Sequence, residues 1–227
     1  MIKLQNLSKT YFTNGASHCI LDNVNAVFPS GRCVALLGRN GAGKSTLLRM
    51  IAGTADPTSG RIRTRGSISW PVGFAGSFHP DLTGLQNTRF LARVYGVDTD
   101  MLTDFAADFA ELGPHFNLPT RSYSSGMKSR LAFGISMGIN FDTYLVDEVT
   151  AVGDAAFRVK SEAVFNHRLR TSGAVVVSHG MGLLRRVCDM GAIINNGTLT
   201  LYDDINDAIE AHQHNMNTLD EAALDDE

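Results

Sequence analysis

The stretch "GRNGAGKST", Gly38–Thr46, decides the fold of this 227-residue chain. It matches the pattern G-x-x-x-x-G-K-[ST] and lies between the apolar segment "RCVALLG" and the helical segment "KSTLLRMIAG". Glycines let the backbone bend so that successive N–H groups converge on phosphate oxygens, and the helix that follows adds the positive end of its dipole. The alternative is a glycine turn beside a surface lysine, which the flanking strand and helix disfavour. We therefore predict a loop that binds a nucleoside triphosphate.

Each position of this phosphate loop has a predicted role. Lys44 places a point charge at the β- and γ-phosphates, and the Ser45 hydroxyl is a predicted ligand of Mg²⁺. The predicted nucleotide-binding residues of the loop are Gly38, Arg39, Asn40, Gly41, Ala42, Gly43, Lys44, Ser45 and Thr46.

Composition indicates one globular domain, or one domain with an inserted subdomain. Hydrophobic residues make up 44% of the chain, but none of its apolar runs has the eighteen or more residues needed to span a bilayer. The first residues alternate apolar and polar side chains and do not resemble a signal peptide. We expect a cytoplasmic protein. We also expect the three cysteines (Cys19, Cys33 and Cys188) to be reduced and mostly buried, because they lack metal-ligand spacing.

The charge is distributed unevenly. The first 202 residues hold all twenty Lys and Arg and fourteen of the acids, for a formal net charge of +6. Such a basic body suits an anionic ligand such as a nucleotide, a lipid headgroup or a nucleic acid. The end of the chain, "TLDEAALDDE", is acidic and is predicted to be a solvated helix or tail.

The order of apolar and amphipathic segments predicts an α/β fold. Segments 2–7 and 18–28 are predicted strands, and strand and helix alternate after about residue 139, which is typical of a parallel, doubly wound sheet. The helical pattern between them is an expected insertion. The predicted division is a catalytic core with an antiparallel β-subdomain (1–84 and 139–205), a helical subdomain (85–138) and an acidic C-terminal segment (206–227).

Two predicted strands end in side chains suited to phosphate chemistry. "TYLVDE" ends in Asp147, a predicted ligand of Mg²⁺, and Glu148, a predicted general base for an attacking water. A solvated turn is the alternative for these acids. "AVVVSH" ends in His179, which is either a structural histidine or a hydrogen-bond donor to the γ-phosphate. We expect five other histidines on the surface: His18, His115, His167, His212 and His214.

The segment "YSSGMKSRLAF" resembles the "LSGGQ" signature of ABC-type ATPases, and the motifs follow one another in that family's order. The resemblance implies that two copies of the chain sandwich two ATP molecules. Each copy's signature, Ser124, Ser125, Gly126 and Met127, would then hold the partner's γ-phosphate. Taken alone, the segment is also compatible with an ordinary N-capped helix. The resemblance further implies that Tyr11 stacks on adenine, although core packing would equally explain this residue.

The chain departs from the family pattern at several positions. Ser125, Met127 and Val149 replace the usual glycine, glutamine and proline. The segment "SWPVGFAGSFHPDLTG" (residues 69–84) lacks the glutamine that contacts Mg²⁺ in the family, and His79 is a candidate replacement. Three apolar residues of this segment are expected either to contact a membrane partner or to pack in the core: Phe74, Phe78 and Leu82.

That unusual segment, with "YSSGMKSRLAFG" and "VDEVTAVGDAAF", closely resembles the ATPase subunit of bacterial capsular polysaccharide exporters of the KpsT and BexA type. The resemblance implies an ATP-hydrolysing subunit at the cytoplasmic face of the inner membrane. It also implies two copies of an integral membrane permease, a lipid-linked polysaccharide handled mainly by that permease, and no nucleic-acid partner. Many O-antigen exporters add a carbohydrate-binding domain, for which we expect no room here.

Other classes of protein remain alternatives. The first is the ATPase of an O-antigen or teichoic acid exporter. A soluble ABC-type ATPase usually carries two cassettes or long coiled-coil insertions, and a small-molecule kinase would leave the signature unexplained. The ATPase of an importer should have a glutamine near Phe74, and residues 69–84 of this chain contain none.

Overall fold

The computed structural model describes residues 1–13, 15–147 and 155–224, except for the side chains of residues 13, 77 and 218–224. The described chain divides into two compact units. Unit 1 holds residues 1–68, 142–147 and 171–224, and unit 2 holds residues 69–141 and 155–170.

The described residues form nine strands and seven α-helices. The strands are β1 (Ile2–Thr13), β2 (Ala16–Phe28), β3 (Cys33–Leu37), β4 (Ser59–Thr64), β5 (Ile68–Pro71), β6 (Thr143–Asp147), β7 (Gly173–Val177), β8 (Met190–Asn195) and β9 (Thr198–Tyr202). The helices are α1 (Lys44–Ile51), α2 (Gly84–Tyr95), α3 (Thr99–Ala110), α4 (Ser125–Gly138), α5 (Ala155–Leu169), α6 (Met181–Val187) and α7 (Ile205–Leu224). Three short 3₁₀ segments lie at Ala75–Ser77, Gly113–Asn117 and Thr120–Ser122.

Unit 1 contains two sheets. In the first, β2, β1 and β4 are antiparallel neighbours in that order. In the second, the strands run in the order β6-β7-β3-β8-β9, and all of these pairs are parallel except β8 with β9. Every residue of β3 and β7 is buried, as expected for strands covered on both faces. The predicted α/β fold with a mainly parallel sheet and an N-terminal antiparallel sheet is confirmed.

One hydrophobic core joins the two sheets of unit 1 to helix α1. Its members come from the antiparallel sheet, from the parallel sheet and from the helix, and they include Leu4, Leu21, Val34, Leu36, Leu47 and Leu48. Burial of one such leucine stabilises the fold by about 1.5–3 kcal/mol. Because α1 is held through Leu47 and Leu48, the loop that precedes it is fixed at the end of β3.

Strand β1 is longer than the sequence pattern predicted. It continues from the predicted end at Leu7 to Thr13 and pairs with β2 throughout, with register shifts near Leu7 and Lys9. Asn6 and Asn23 both have a φ of 48°, so the backbone bulges there. Bulges interrupt the alternation of apolar and polar residues, and this is why the pattern alone ended the strand too early.

Unit 2 is built around aromatic side chains of three helices. The Phe109 ring of α3 stacks on Phe105 and Phe133 at centroid distances of 5.9 and 5.5 Å, and it meets Phe157 of α5 edge-on at 5.1 Å. Such pairs add about 0.5–1.5 kcal/mol each beyond the area that they bury. The predicted boundaries of the helical subdomain (85–138) stay a prediction.

Helix α7 packs on β8 in unit 1. Ile205, Ala208 and Ile209 are buried, and their spacing places them on one face of the helix. A Cβ atom at Gly191 of β8 would lie 2.3 Å from the Ala208 Cβ. Glycine at this position therefore allows the helix to approach the strand closely.

Candidate functional site

The phosphate loop connects β3 to α1 through three glycines with positive φ. The φ angles are 149° at Gly38, 81° at Gly41 and 104° at Gly43, values that L-amino acids with a side chain rarely adopt. Gly43 also lacks room, since a Cβ atom there would lie 2.3 Å from the Ile20 Cγ2. The glycines predicted from the motif are thus required by backbone geometry at this turn.

Lys44 begins helix α1 and folds back over the loop. Its Nζ donates hydrogen bonds to the carbonyl oxygens of Gly38 and Arg39, at 2.7 and 2.9 Å. These bonds hold the ammonium group next to the loop backbone, where it supplies a fixed positive charge to an anion bound at the helix N-terminus.

A cavity of about 230 Å³ lies at this helix N-terminus. The residues that line it are Ile20, Asn40, Gly41, Gly43, Lys44, Ser45, Thr46 and Val177. Converging backbone N–H groups, the helix dipole and a lysine make it suited to phosphate groups. We call it the phosphate cavity. Six of the nine predicted loop residues therefore come together around one volume.

The predicted metal ligands approach the same cavity. Ser45 lines it, and Asp147, the last residue of β6, is the register partner of Val177, which also lines it. A hydroxyl and a carboxylate are oxygen ligands of the kind that Mg²⁺ prefers, so this donor set fits the predicted ion. Glu148, the predicted general base, lies outside the described residues.

His179 lies beside a second cavity, of about 290 Å³. Its lining residues are Gly38, Arg39, Asn40, His179, His212 and Met216. Asn40 lines both this second cavity and the phosphate cavity, so the two volumes share a wall. The structure thus places His179 next to the phosphate loop, and its contact with a γ-phosphate stays a prediction.

His212 was missed by sequence reasoning. It is half-buried and lines the second cavity together with Met216, whereas the sequence predicted a surface position. The other four histidines of that group are exposed. A sequence signal did exist, because Ile205, Ala208, Ile209, His212 and Met216 follow one another at helical spacing, but "AHQHNMN" has no motif that identifies a site.

Tyr11 lies on β1 and is 38% exposed. The Lys9 ammonium lies 4.8 Å from its ring centroid, and the Lys9 Nζ also donates to the Asp56 carbonyl. The ring is not buried in the core, and it is not among the residues that line the phosphate cavity. Its stacking on adenine stays a prediction.

The predicted signature begins helix α4 in unit 2. Ser124 is the N-cap residue, and its Oγ accepts a hydrogen bond from the Met127 backbone N–H at 3.2 Å. Ser124, Ser125 and Gly126 are exposed, and the preceding Tyr123 is buried, with its hydroxyl donating to the His115 carbonyl at 2.7 Å. An anchored helix start with exposed donors suits an anion, and the role of this segment in a partner's site stays a prediction.

The segment at residues 69–84 is held by a local network. The His79 backbone N–H donates to the Asn87 Oδ1 at 2.9 Å, and the His79 carbonyl accepts from the Thr120 hydroxyl at 2.9 Å. The His79 Nδ1 accepts from the Asp81 N–H at 3.3 Å, so one ring nitrogen is already used locally. Phe74 is 54% exposed, which is compatible with the predicted contact to a membrane partner.

A phosphate loop between a buried parallel strand and a helix, with a carboxylate ending a strand of the same sheet, defines a P-loop nucleotide-binding protein. The comparisons with known proteins narrow this class. The chain matches the family model described as ABC transporter over residues 21–151. The chain therefore belongs to the ABC transporter family.

Similar proteins carry more specific names. The chain is 46% identical over 216 residues to "Polysialic acid transport ATP-binding protein KpsT" of Escherichia coli, covering 94% of this chain and 96% of that protein. It is 42% identical over 210 residues to "ATP-binding protein BexA" of Haemophilus influenzae, covering 92% of this chain and 97% of that protein. It is 40% identical over 210 residues to "Capsule polysaccharide export ATP-binding protein CtrD" of Neisseria meningitidis, covering 92% of this chain and 97% of that protein. These relatives confirm the resemblance to the ATPase subunits of capsular polysaccharide exporters.

A solved structure confirms the fold. The structure described as "Dimeric structure of a post-hydrolysis state of the ATP-binding cassette MJ0796 bound to ADP and Pi" matches with a TM-score of 0.75 at 23% identity. The match covers 90% of this chain and 99% of that one. In the part of this chain that the structure describes, none of the helices is long and apolar enough to cross a membrane.

Proposed function

We propose that this chain is the ATP-hydrolysing subunit of an ABC transporter that energises export of lipid-linked capsular polysaccharide across the bacterial inner membrane. The observation that carries the proposal is the phosphate cavity, where Lys44 and Ser45 meet Val177, the strand partner of Asp147. The names of the relatives supply the transported class, since they describe polysialic acid transport and capsule polysaccharide export.

ATP binds through the phosphate loop in this proposal. The loop N–H groups and Lys44 hold the β- and γ-phosphates, and Tyr11 stacks on the adenine. Ser45 and Asp147 would hold Mg²⁺, directly or through water. When bound, the ion neutralises charge on the phosphate oxygens.

Hydrolysis needs a base and a group that senses the γ-phosphate. Glu148 follows Asp147 directly in the sequence and acts as the general base toward water, a role that contributes about 10²- to 10⁴-fold in rate. His179 donates a hydrogen bond to the γ-phosphate. Its position on the second cavity, which shares Asn40 with the phosphate cavity, supports this role.

The active form is a homodimer in which Ser124 and the N–H groups of Ser125, Gly126 and Met127 bind the partner's ATP. The exposed N-terminus of α4 supports this arrangement. ATP then bridges the two copies, and hydrolysis removes the bridge. Driving such an equilibrium from 1:99 to 99:1 takes about 5.5 kcal/mol, a reasonable contribution from two nucleotides.

The motion passes to two copies of an integral membrane permease, which handles most of the polysaccharide. The chain works at the cytoplasmic face of the inner membrane and has no nucleic-acid partner. Phe74, exposed in unit 2, is a candidate permease contact.

The test of this function is Glu148→Gln in cells that depend on this chain for capsule. We expect ATP affinity to stay at the wild-type value and turnover to fall by about 10²- to 10⁴-fold, because the general base is lost. Surface capsule should disappear while polysaccharide accumulates inside the cell. Surface immunostaining and an ATPase assay on the purified protein measure the two effects. Normal surface capsule in cells with the inactive variant would contradict the proposal.

A further inference from the structure

The second cavity has a lining suited to an anion. Arg39, His179 and His212 can each donate hydrogen bonds or carry positive charge, and Asn40 adds an amide. Among the described residues that line it there is no carboxylate. Because Asn40 also lines the phosphate cavity, an anion in the second cavity would lie next to the phosphate loop.

Helix α7 brings His212 to this place. Ala208 and Ile209 anchor the helix on β8, and His212 lies one turn further along the same face. A narrow space lined by Gly38, Arg39, His212 and Met216 shows that this turn of the helix packs beside the start of the phosphate loop. The imidazole is therefore held at the loop by a packed helix, which is a precondition for a binding site.

The electrostatic surroundings of His212 support the same interpretation. Burial lowers the pKa of its imidazole, and the charges of Lys44 and His179 lower it further. His212 thus lies within electrostatic range of Lys44 and His179, two residues of the phosphate site. An anion in the cavity would be attracted by the Lys44 charge, and the neutral His212 imidazole can still donate one hydrogen bond to it.

We propose that the second cavity is a phosphate-binding subsite in which His212 donates a hydrogen bond to a phosphate oxygen. The proposal rests on the ATP hydrolysis proposed above and adds a helix that the sequence motifs do not include. The phosphate has two sources, namely the γ-phosphate of bound ATP and the orthophosphate released from it.

The test compares His212→Ala with His214→Ala, a matched variant of an exposed histidine that does not line the cavity. If released orthophosphate is the ligand, His212→Ala needs about tenfold more orthophosphate for half-inhibition of ATP hydrolysis, the loss expected for a hydrogen bond to a charged group. If the γ-phosphate is the ligand, the affinity for ATPγS falls about tenfold instead. ADP affinity stays at the wild-type value in both cases, and His214→Ala behaves as wild type.

Two further measurements keep the test decisive. Should His212→Ala fail to fold, His212→Met, which fills a similar space but has no N–H donor, replaces it and should show the same tenfold loss. The imidazole NMR signal of His212 in the ADP-bound wild type should shift on addition of orthophosphate, and this readout needs no hydrolysis. A wild-type chain without ATPase activity would refute the proposed function, whereas an unmoved His212 signal with unchanged orthophosphate and ATPγS affinities would refute the subsite.

Discussion

At the scale of residues, the phosphate loop shows two separate reasons for glycine. Gly41 and Gly43 both have positive φ, at 81° and 104°, but only Gly43 faces a neighbour that a Cβ would strike. The motif predicted both glycines, because any residue with a side chain is strained at such angles. It could not predict the contact of Gly43 with Ile20, which comes from a strand some twenty residues earlier.

These two positions make a matched pair for mutation. Gly41→Ala should cost about 1–2 kcal/mol of unfolding free energy through backbone strain alone. Gly43→Ala should cost clearly more, because the added Cβ would lie 2.3 Å from the Ile20 Cγ2 and Ile20 must move. Urea unfolding measures both changes. Equal losses of unfolding free energy in the two variants would show that the close contact with Ile20 does not affect stability.

The buried thiols of Cys33 and Cys188 should make the folded protein less stable at alkaline pH. Burial and the nearby Asp189 carboxylate raise the pKa of Cys33 from 9.0 to about 11, and burial also raises the pKa of Cys188. Above pH 9 the unfolded chain therefore releases thiol protons that the folded chain keeps, and the free energy of unfolding falls as the pH rises toward 11. Cys33 alone accounts for roughly 2 kcal/mol between pH 9 and pH 11.

Urea unfolding between pH 8 and pH 10.5 tests this prediction through the slope of stability against pH. Cys33→Ala should flatten the slope, whereas alanine at the exposed Cys19 should leave it unchanged. A wild-type stability that is constant across the range would contradict the prediction.

At the scale of elements, the N-terminus of helix α4 has two roles, one in the stability of the helix and one in the proposed dimer. Ser124 caps the helix by accepting from the Met127 N–H, and in the proposed dimer its hydroxyl also binds the partner's ATP. Helix α3 has an equivalent cap without a proposed function, since Asp98 accepts from the Met101 N–H at 2.8 Å. The two caps can therefore separate stability from activity.

Ser124→Ala and Asp98→Ala should each cost about 1 kcal/mol, which lowers the melting temperature by roughly 2–4 °C in a chain of this size. Only Ser124→Ala should slow ATP hydrolysis, by about 10- to 100-fold, because it removes a hydrogen bond to a charged group. Thermal unfolding and an ATPase assay measure the two effects. Equal ATPase rates in the two variants would remove Ser124 from the proposed site.

The packing of helix α7 explains why His212 was not assigned to the site from the sequence. The sequence pattern of α7 identified a helix or tail but not its neighbour, because the place where a surface helix packs depends on the contact of Ala208 with Gly191. His212 reaches the phosphate loop only through that contact. The phosphate loop itself, by contrast, is contiguous in the chain, so its residues could be predicted together.

At the scale of the whole molecule, the fold class followed from the order of apolar strands and helices. β3 and β7 are short, apolar and buried, and their pattern predicted a parallel sheet correctly. The pairing order of the strands could not be predicted, because β3 lies between β7 and β8, far from both in sequence. Long-range neighbours of this kind depend on packing rather than on local pattern.

In the proposed dimer, each ATP site is assembled from two copies of the chain. Lys44→Ala removes the phosphate-loop charge from one copy, and Ser124→Arg blocks the signature of another, so each variant alone should be inactive. The most direct measurement is the ATPase rate of an equal mixture of the two purified variants. We predict recovery of about a quarter of the wild-type rate if the chains pair at random, because half of the dimers regain one intact site. A mixture no more active than its separate components would show that the two chains do not share an ATP site.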